Sequence, residues 1–240
     1  MKLPPIGSFL LMKIHHTHHW NYTIQEAKRI QVRFKSLLNL NHRIELKSIK
    51  QIAAADISYS LRSRKLYAAV VICSFPDLTI QSTYTTDYFT TFPYIPGYLS
   101  FREIPPLISI FKSMQEKFDV ILCDGQGIAH PRRFGLASHL GVLLEKPSIG
   151  CAKSRLIGDF SEPSPPKGSY SILYAGDEQI GIVLRTRTNV KPLFVSPGHM
   201  VNFNDCRSIV LACLRDTRIP QPLKFAHRAV NEIRRAFSDK

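Results

Sequence analysis

Three acidic residues stand where a folding chain has reason to avoid charge. Asp56 lies inside "AAADISYS", among alanines and an isoleucine that read as a central strand, where a carboxylate is costly unless it binds something. Glu103 closes "FPYIPGYLSFRE" at the start of a predicted helix, and Asp124 ends the apolar run "VILC" just before a glycine. Neighbouring parallel strands and the helix start between them would bring all three to one sheet edge. Singly, each also reads as a surface or capping residue; Glu103 would suit a helix N-terminus. Together they repel one another and are tolerated with a cation between them. An oxygen-only ligand set suits Mg²⁺, with Mn²⁺ able to substitute.

The charge balance says what such a site acts on. Thirty-two Lys and Arg against eighteen Asp and Glu give +14 and a pI near 9.8. This favours polyanion partners, nucleic acid first and an anionic membrane second. Metal-holding carboxylates beside a polyanion point to phosphodiester hydrolysis, in which the metal deprotonates a water and stabilises charge on the leaving oxygen. In "CDGQGIAHPRRFG" (123–135), Gly125 and Gly127 let backbone approach a ligand, with Gln126 between them. His130, Arg132 and Arg133 precede a predicted helix, a place where phosphate is readily held. Lys153, in "GCAKSRL", is placed on the same sheet edge, where a point charge can neutralise a scissile phosphate. His199, in "SPGHM", sits at a tight turn and is a candidate metal partner or phosphate contact.

The elements that must position these groups follow from periodicity. Residues 23–40 carry apolar residues at helical spacing, with Thr23 as N-cap. "SIKQIAAADISYS", "KLYAAVVICSF" and "LTIQSTYTTDYFT" read as three strands of an antiparallel meander. "REIPPLISIFKSMQEKF" reads as a helix with its prolines near the first turn, then "DVILCDG" as a strand, "FGLASHLGVLLEK" as a helix and "PSIGCAK" as a strand. A Pro/Ser-rich loop (159–168), a hairpin through Gly176-Asp177, a short extended piece "PLFVSPGH" and two C-terminal helices complete the chain. The expected fold is α/β: three antiparallel strands, then parallel strands, flanked by helices on both faces. Residues 1–22 read as an irregular extension and 23–240 as one domain.

"FPYIPGYLSFRE" fits neither a core strand, which would exclude its prolines, nor a solvated turn, which has no use for its aromatics. It is built to press on something. The five cysteines include no C-x-x-C and read as buried thiols of a reducing compartment. No apolar run approaches the roughly 18 residues that span a bilayer, and the N-terminal stretch does not read as a secretory signal. A cytoplasmic, monomeric protein without membrane association is expected. His15, His16, His18 and His19 could share one helical turn and bind a metal; the preferred reading is an incidental flexible tip.

"PYIPGYLSFRE", "DGQGIAHPRRFGLASHLG", "IGCAKSRL" and "SPGH", in that order, resemble the endonuclease V family over roughly residues 25–225. The resemblance implies a ribonuclease-H-like fold and Mg²⁺-dependent hydrolysis of DNA at deoxyinosine. The cut would fall at the second phosphodiester 3′ to the lesion, leaving 3′-hydroxyl and 5′-phosphate ends. It implies that Asp56, Glu103 and Asp124 hold the metal, that His130 and Lys153 lie near the scissile phosphate, and that His199 lies close to the metal. Pro93, Tyr94, Ile95 and Pro96 would form a strand-separating wedge. Gly97, Leu99, Gly125, Gly127, Gly135, Leu136 and Leu156 would shape a pocket for the flipped base. An inosine-specific ribonuclease or a less specific structure nuclease would use the same site. A non-catalytic binding module is disfavoured, because all three acids are retained. The chain departs from the pattern at Gln126, where many relatives have histidine, and at Met200, where arginine is common.

Overall fold

The run QIAAADISY forms β1 (Gln51–Tyr59), the strand on which the sheet is assembled. The computed structural model describes residues 12–60 and 64–238. On one side of β1, β2 (Lys65–Ser74) and β3 (Ile80–Phe89) continue as the expected antiparallel meander. On the other, β4 (Val120–Cys123) and β5 (Ser148–Ala152) run parallel to it. Beyond β5 the direction reverses. β8 (Leu193–His199) pairs antiparallel with β5, followed outward by β7 (Glu178–Leu184) and β6 (Tyr170–Ala175). The order is β3-β2-β1-β4-β5-β8-β7-β6. "PLFVSPGH", expected as a short extended piece, is thus a buried ladder strand joining the two halves of the sheet.

Parallel neighbours need crossovers, and helices supply them. α2 (Leu99–Ser113) precedes β4 and α3 (Leu136–Leu144) precedes β5. With α1 (Ile24–Lys35), they cover one face, burying Ala53, Ala55, Val70 and Ile121. α4 (Phe203–Ala212) and α5 (Gln221–Ser238) cover the other, over Ile52, Ala54, Val71 and Leu122. Alternation along β1 therefore aims Asp56, in phase with Ala54, at α5.

α1 begins at the expected cap: Thr23 Oγ1 accepts from Glu26 N at 3.3 Å, and Glu26 Oε2 accepts from Thr23 N at 2.9 Å. It ends at Lys35, short of the expected Leu40. Its buried residues are Ala27, Gln31 and Phe34, whereas Ile24 and Val32 are exposed. α2 starts at Leu99 rather than Arg102, so Pro105 and Pro106 lie beyond its first turn. They remove the N–H groups that would close on the carbonyls of Phe101 and Arg102. The earlier start puts Leu99, Ser100 and Glu103 on one helix face.

Residues 12–22 form neither helix nor strand, so the four histidines do not share a helical turn. The segment is packed down: His15 N donates to Leu143 O at 2.7 Å, and Met12, Ile14 and Trp20 pack against the helical face of the core. All five cysteines are buried and free. No helix among the described residues is long and apolar enough to cross a membrane.

Candidate active site

β1 and β4 run parallel with Ala55 opposite Cys123, so the next residues, Asp56 and Asp124, emerge side by side at one sheet edge. Asp124 N donates to Ala55 O at 3.2 Å, tying the second acid to the strand that carries the first. Glu103 joins them from one helical turn into α2. A fourth element completes the cluster. His227, on α5, lies with Nδ1 2.8 Å from Asp56 Oδ2. Among the described residues, Asp56, Asp124 and His227 each offer a ligand atom, all within 4.8 Å of one another. Two carboxylate oxygens and an imidazole nitrogen, with Glu103 beside them, form a donor set that fits Mg²⁺ and, through the nitrogen, Mn²⁺.

The electrostatics agree with a cation site. Burial, then the neighbouring Asp124, pushes Asp56 up to about 6, against the favourable hydrogen bond from His227. Burial, then Asp56 and Asp124, pushes Glu103 up to about 8. Without a cation these groups cannot all ionise cheaply at neutral pH. The ammonium of Lys153 donates to Asp124 Oδ2. Arg218 fixes the backbone of that lysine, its Nη2 donating to Lys153 O at 2.6 Å and to Pro192 O at 2.7 Å.

A cavity of about 620 Å³ runs from the acids toward the Pro-Tyr-Ile-Pro loop. Asp56, Glu103, Asp124 and Lys153 line it, as do Tyr94, Pro96, Gly97, Leu99, Gly125, Gly135, Leu136 and Leu156. Tyr94 is 60% exposed at the rim, with its ring 6.4 Å from that of Tyr59. Pro93 and Ile95 flank the loop outside the cavity lining.

Four expected residues take other places. His199 ends β8 opposite Ser148, the first residue of β5, whereas Lys153 follows the last. The two are roughly 16 Å apart along the strand at 3.3 Å per residue. β8 runs antiparallel to β5, which carries its C-terminal histidine to the wrong end of the sheet; His227 occupies the place by the acids instead. Met200 shares the remote position of His199, so the missing arginine does not bear on this site. Gly127 is packed under β8, where an added Cβ would come within 2.0 Å of Pro197 O. Arg132 and Arg133 are engaged inward. Arg132 stacks on Tyr98 at 4.1 Å and donates to Gln31 and Gly97, and Arg133 pairs with Glu178 at 2.9 Å.

His130 does line the cavity, but as part of its wall. Its Nε2 donates to Gly97 O at 2.9 Å while Nδ1 accepts from Arg132 N at 3.2 Å. Burial, then the Arg132 charge, holds it down to about 4, so it is neutral. Gln126, at the departure from the family pattern, donates to Ser154 O at 3.0 Å and ties the loop after β4 to the loop after β5. His227 and Arg218 escaped sequence reasoning. The only signal for His227 was a titratable residue beside the buried Ala226 of an amphipathic helix.

A family model described as endonuclease V matches residues 32–228. An endonuclease V from Dehalococcoides mccartyi is 44% identical over 92% of this chain and 99% of its own. The endonuclease V structure from Streptomyces avermitilis superposes with a TM-score of 0.87 at 33% identity, covering 95% of this chain and 99% of that one. The Ciona intestinalis endonuclease V, solved with a 24mer DNA containing an inosine followed by a ribo-adenosine, gives 0.78 at 27% identity over 89% and 98%. Similarity that runs from α1 through the acidic sheet edge to the start of α5 makes this chain an endonuclease of the endonuclease V family.

Proposed function

We propose that this endonuclease hydrolyses DNA at deoxyinosine in a Mg²⁺-dependent reaction, using residues 23–240 as one catalytic unit. The observation that carries the reading is the shared cavity. One end holds clustered carboxylates and Lys153, and the other is a pocket shaped by glycine and leucine behind an exposed tyrosine. The two halves are joined by one helix, α2, whose first turn carries Leu99 in the pocket and whose second carries Glu103 at the acids.

Each group has a task. Tyr94, stiffened by Pro93 and Pro96 with Ile95 beside it, enters the base stack and fills the gap left by an extruded base. Extrusion costs a few kcal/mol of unstacking and unpairing, and less for a weakly paired inosine. Hypoxanthine lacks the 2-amino group of guanine, so a tight pocket walled by Gly97, Leu99, Gly125, Gly135 and Leu136 excludes guanine by size. Neutral His130 holds the Gly97 wall. Asp56, Asp124, His227 and Glu103 would hold the cation, which supplies an activated water and charge stabilisation at the leaving oxygen. Lys153 neutralises the scissile phosphate. The cut in this reading falls at the second phosphodiester 3′ to the lesion, as the family resemblance implies, leaving 3′-hydroxyl and 5′-phosphate ends.

The test is incubation with Mg²⁺ and a duplex bearing one deoxyinosine, with the product mapped to the nucleotide. A matched inosine-containing RNA runs in parallel. Cleavage one bond beyond the lesion's own 3′ phosphate is expected in DNA. Preferential cutting of the RNA, or a cut independent of inosine, would replace the substrate assignment.

A further inference from the structure

Two of the segments that wall the base pocket face each other across it: the end of the wedge loop, Gly97 to Leu99, and the end of the loop before α3, Gly135, with Leu136 opening the helix. Neither touches the other through a direct backbone ladder. A side chain from a third element joins them. Gln31, on α1, is 1% exposed and does not line the cavity. Its amide Nε2 donates to Gly97 O at 3.0 Å and to Phe134 O at 3.2 Å, while its Oε1 accepts from Arg132 Nε at 2.5 Å.

From this bridge we infer that Gln31 is a positioning residue that sets the width of the base pocket, and through it the discrimination between hypoxanthine and purines carrying a 2-amino group. The inference rests on the functional reading above and names a determinant of its specificity.

The residue type explains the placement. An amide offers two donors and an acceptor on one rigid plane. Here both donors reach backbone carbonyls of opposite walls, and the acceptor holds the guanidinium that also bonds Gly97 O and stacks on Tyr98. Glutamate would retain Arg132 but turn an anionic oxygen toward two carbonyls. Methionine would fill the volume and leave Gly97 O, Phe134 O and Arg132 Nε short of a partner. Gly97 stands at φ +80°, where any L side chain is strained, and a Cβ would meet Arg132 Nη2 at 3.0 Å. The wall is therefore thin, backbone-lined and dependent on outside struts. Gln31 and Arg132 are two, and His130 is the third. A pocket that separates bases differing by one amino group depends on its wall spacing to within an ångström, and a shift of that size can cost roughly 10²-fold in rate.

The experiment compares the full-length protein with Gln31→Glu and Gln31→Met. Each is assayed with Mg²⁺ on duplexes carrying an inosine·thymine or a guanine·thymine pair at one position, the mismatch equalising the ease of extrusion. Thermal unfolding is followed alongside. In the variants, kcat/KM for inosine falls roughly 10-fold to 100-fold, chiefly through KM, while cleavage at guanine does not fall in step. The inosine-to-guanine ratio therefore drops. A folded variant whose ratio equals that of the unaltered protein overturns the inference, whatever its absolute rate. Should both variants fail to fold, Arg132→Leu, which strips Gln31 Oε1 of its donor from the partly exposed side, decides the matter by the same ratio. An unaltered protein that shows no preference for inosine sinks the functional reading instead.

Discussion

His227 and Asp56 are 171 residues apart in the chain and 2.8 Å apart in the fold, imidazole Nδ1 to carboxylate Oδ2. The pair joins the last helix to the first strand at the edge where Asp124 also emerges, making His227 a ligand candidate and not a distant support. Replacing His227 by alanine is expected to lower metal affinity and cleavage by about 100-fold or more, at the upper end of what loss of even an outer partner costs. His199→Gln, at the other end of β5, should leave cleavage near normal. Isothermal titration with Mn²⁺ and single-turnover cleavage check both. Equal losses from the two variants would mean that His199 reaches the site after all.

Two glycines assigned together to the base pocket should part company on substitution. A Cβ on Gly127 would meet Pro197 O at 2.0 Å, Pro197 C at 2.6 Å and Ser196 O at 2.8 Å, all backbone. On Gly125 it would meet only the Leu136 side chain, at 3.1 Å. Gly127→Ala is therefore expected to destabilise by about 1–3 kcal/mol or more through overpacking. Gly125→Ala should keep its melting temperature and lose inosine cleavage, because its methyl group narrows the pocket against Leu136. Calorimetry and cleavage on the same preparations separate the outcomes.

What the sequence made legible was local. Asp56 stood out because a charge among strand alanines needs a reason, and Thr23 because a threonine opens a run of helically spaced apolar residues. The meander β1-β2-β3 was readable from period-two runs joined by short connections. What could not be read depends on pairing across long stretches of chain. The direction of β8 is set by its ladder with β5, about 45 residues earlier, and that direction alone removes His199 from the acids. His227 becomes a ligand candidate through the packing of α5 on β1. Gln31 is a polar residue among the helically spaced apolar positions of α1, yet it is buried where Ile24 and Val32 are exposed. Its burial follows from two carbonyls and a guanidinium supplied by residues 97, 134 and 132.

Metal and pH should be coupled in a direction fixed by the acids. Unfolded, the carboxyls of Asp56 and Glu103 ionise near pH 4; folded without metal they are pushed up to about 6 and about 8. The metal-free fold binds more protons than the unfolded chain, so this contribution is fully present below about pH 4. It is lost as pH rises through 6 to 8. A cation among the carboxylates opposes that loss. The gain in melting temperature on adding Mg²⁺ should therefore grow from pH 6 to pH 8, reaching about 2.7 kcal/mol of stabilisation at one hundred times Kd. EDTA should abolish it. A gain independent of pH would show that the acids are ionised without metal.

The histidine pair under the N-terminal segment should carry the opposite sign. His18 Nδ1 donates to His19 O at 2.6 Å, which leaves Nε2 bare to accept from His139 Nε2 at 2.9 Å. His139 Nδ1 in turn accepts from Ser100 Oγ at 3.1 Å, in the first turn of α2. Each bond fixes the next tautomer: a proton added at His18 Nε2 sets N–H against the N–H of His139, and one added at His139 Nδ1 displaces the hydrogen bond from Ser100 Oγ. Burial holds both histidines below their ordinary value, and the rings around them, Trp20, Phe34, Phe101 and Phe134, offer no counter-charge. The unfolded chain takes up protons near pH 6.5 and the folded one does not, so this stability is complete above that pH and lost as pH falls. His130 and His199, both held down to about 4 by burial, add to the same slope. His18→Phe keeps the aromatic packing and removes one titrating ring. It should cost about 1–3 kcal/mol at pH 7.5, through the orphaned His139 donor, and flatten the loss between pH 7 and pH 5. Urea unfolding of both proteins across that range measures it, and an unchanged slope would remove the pair from the account of acid stability.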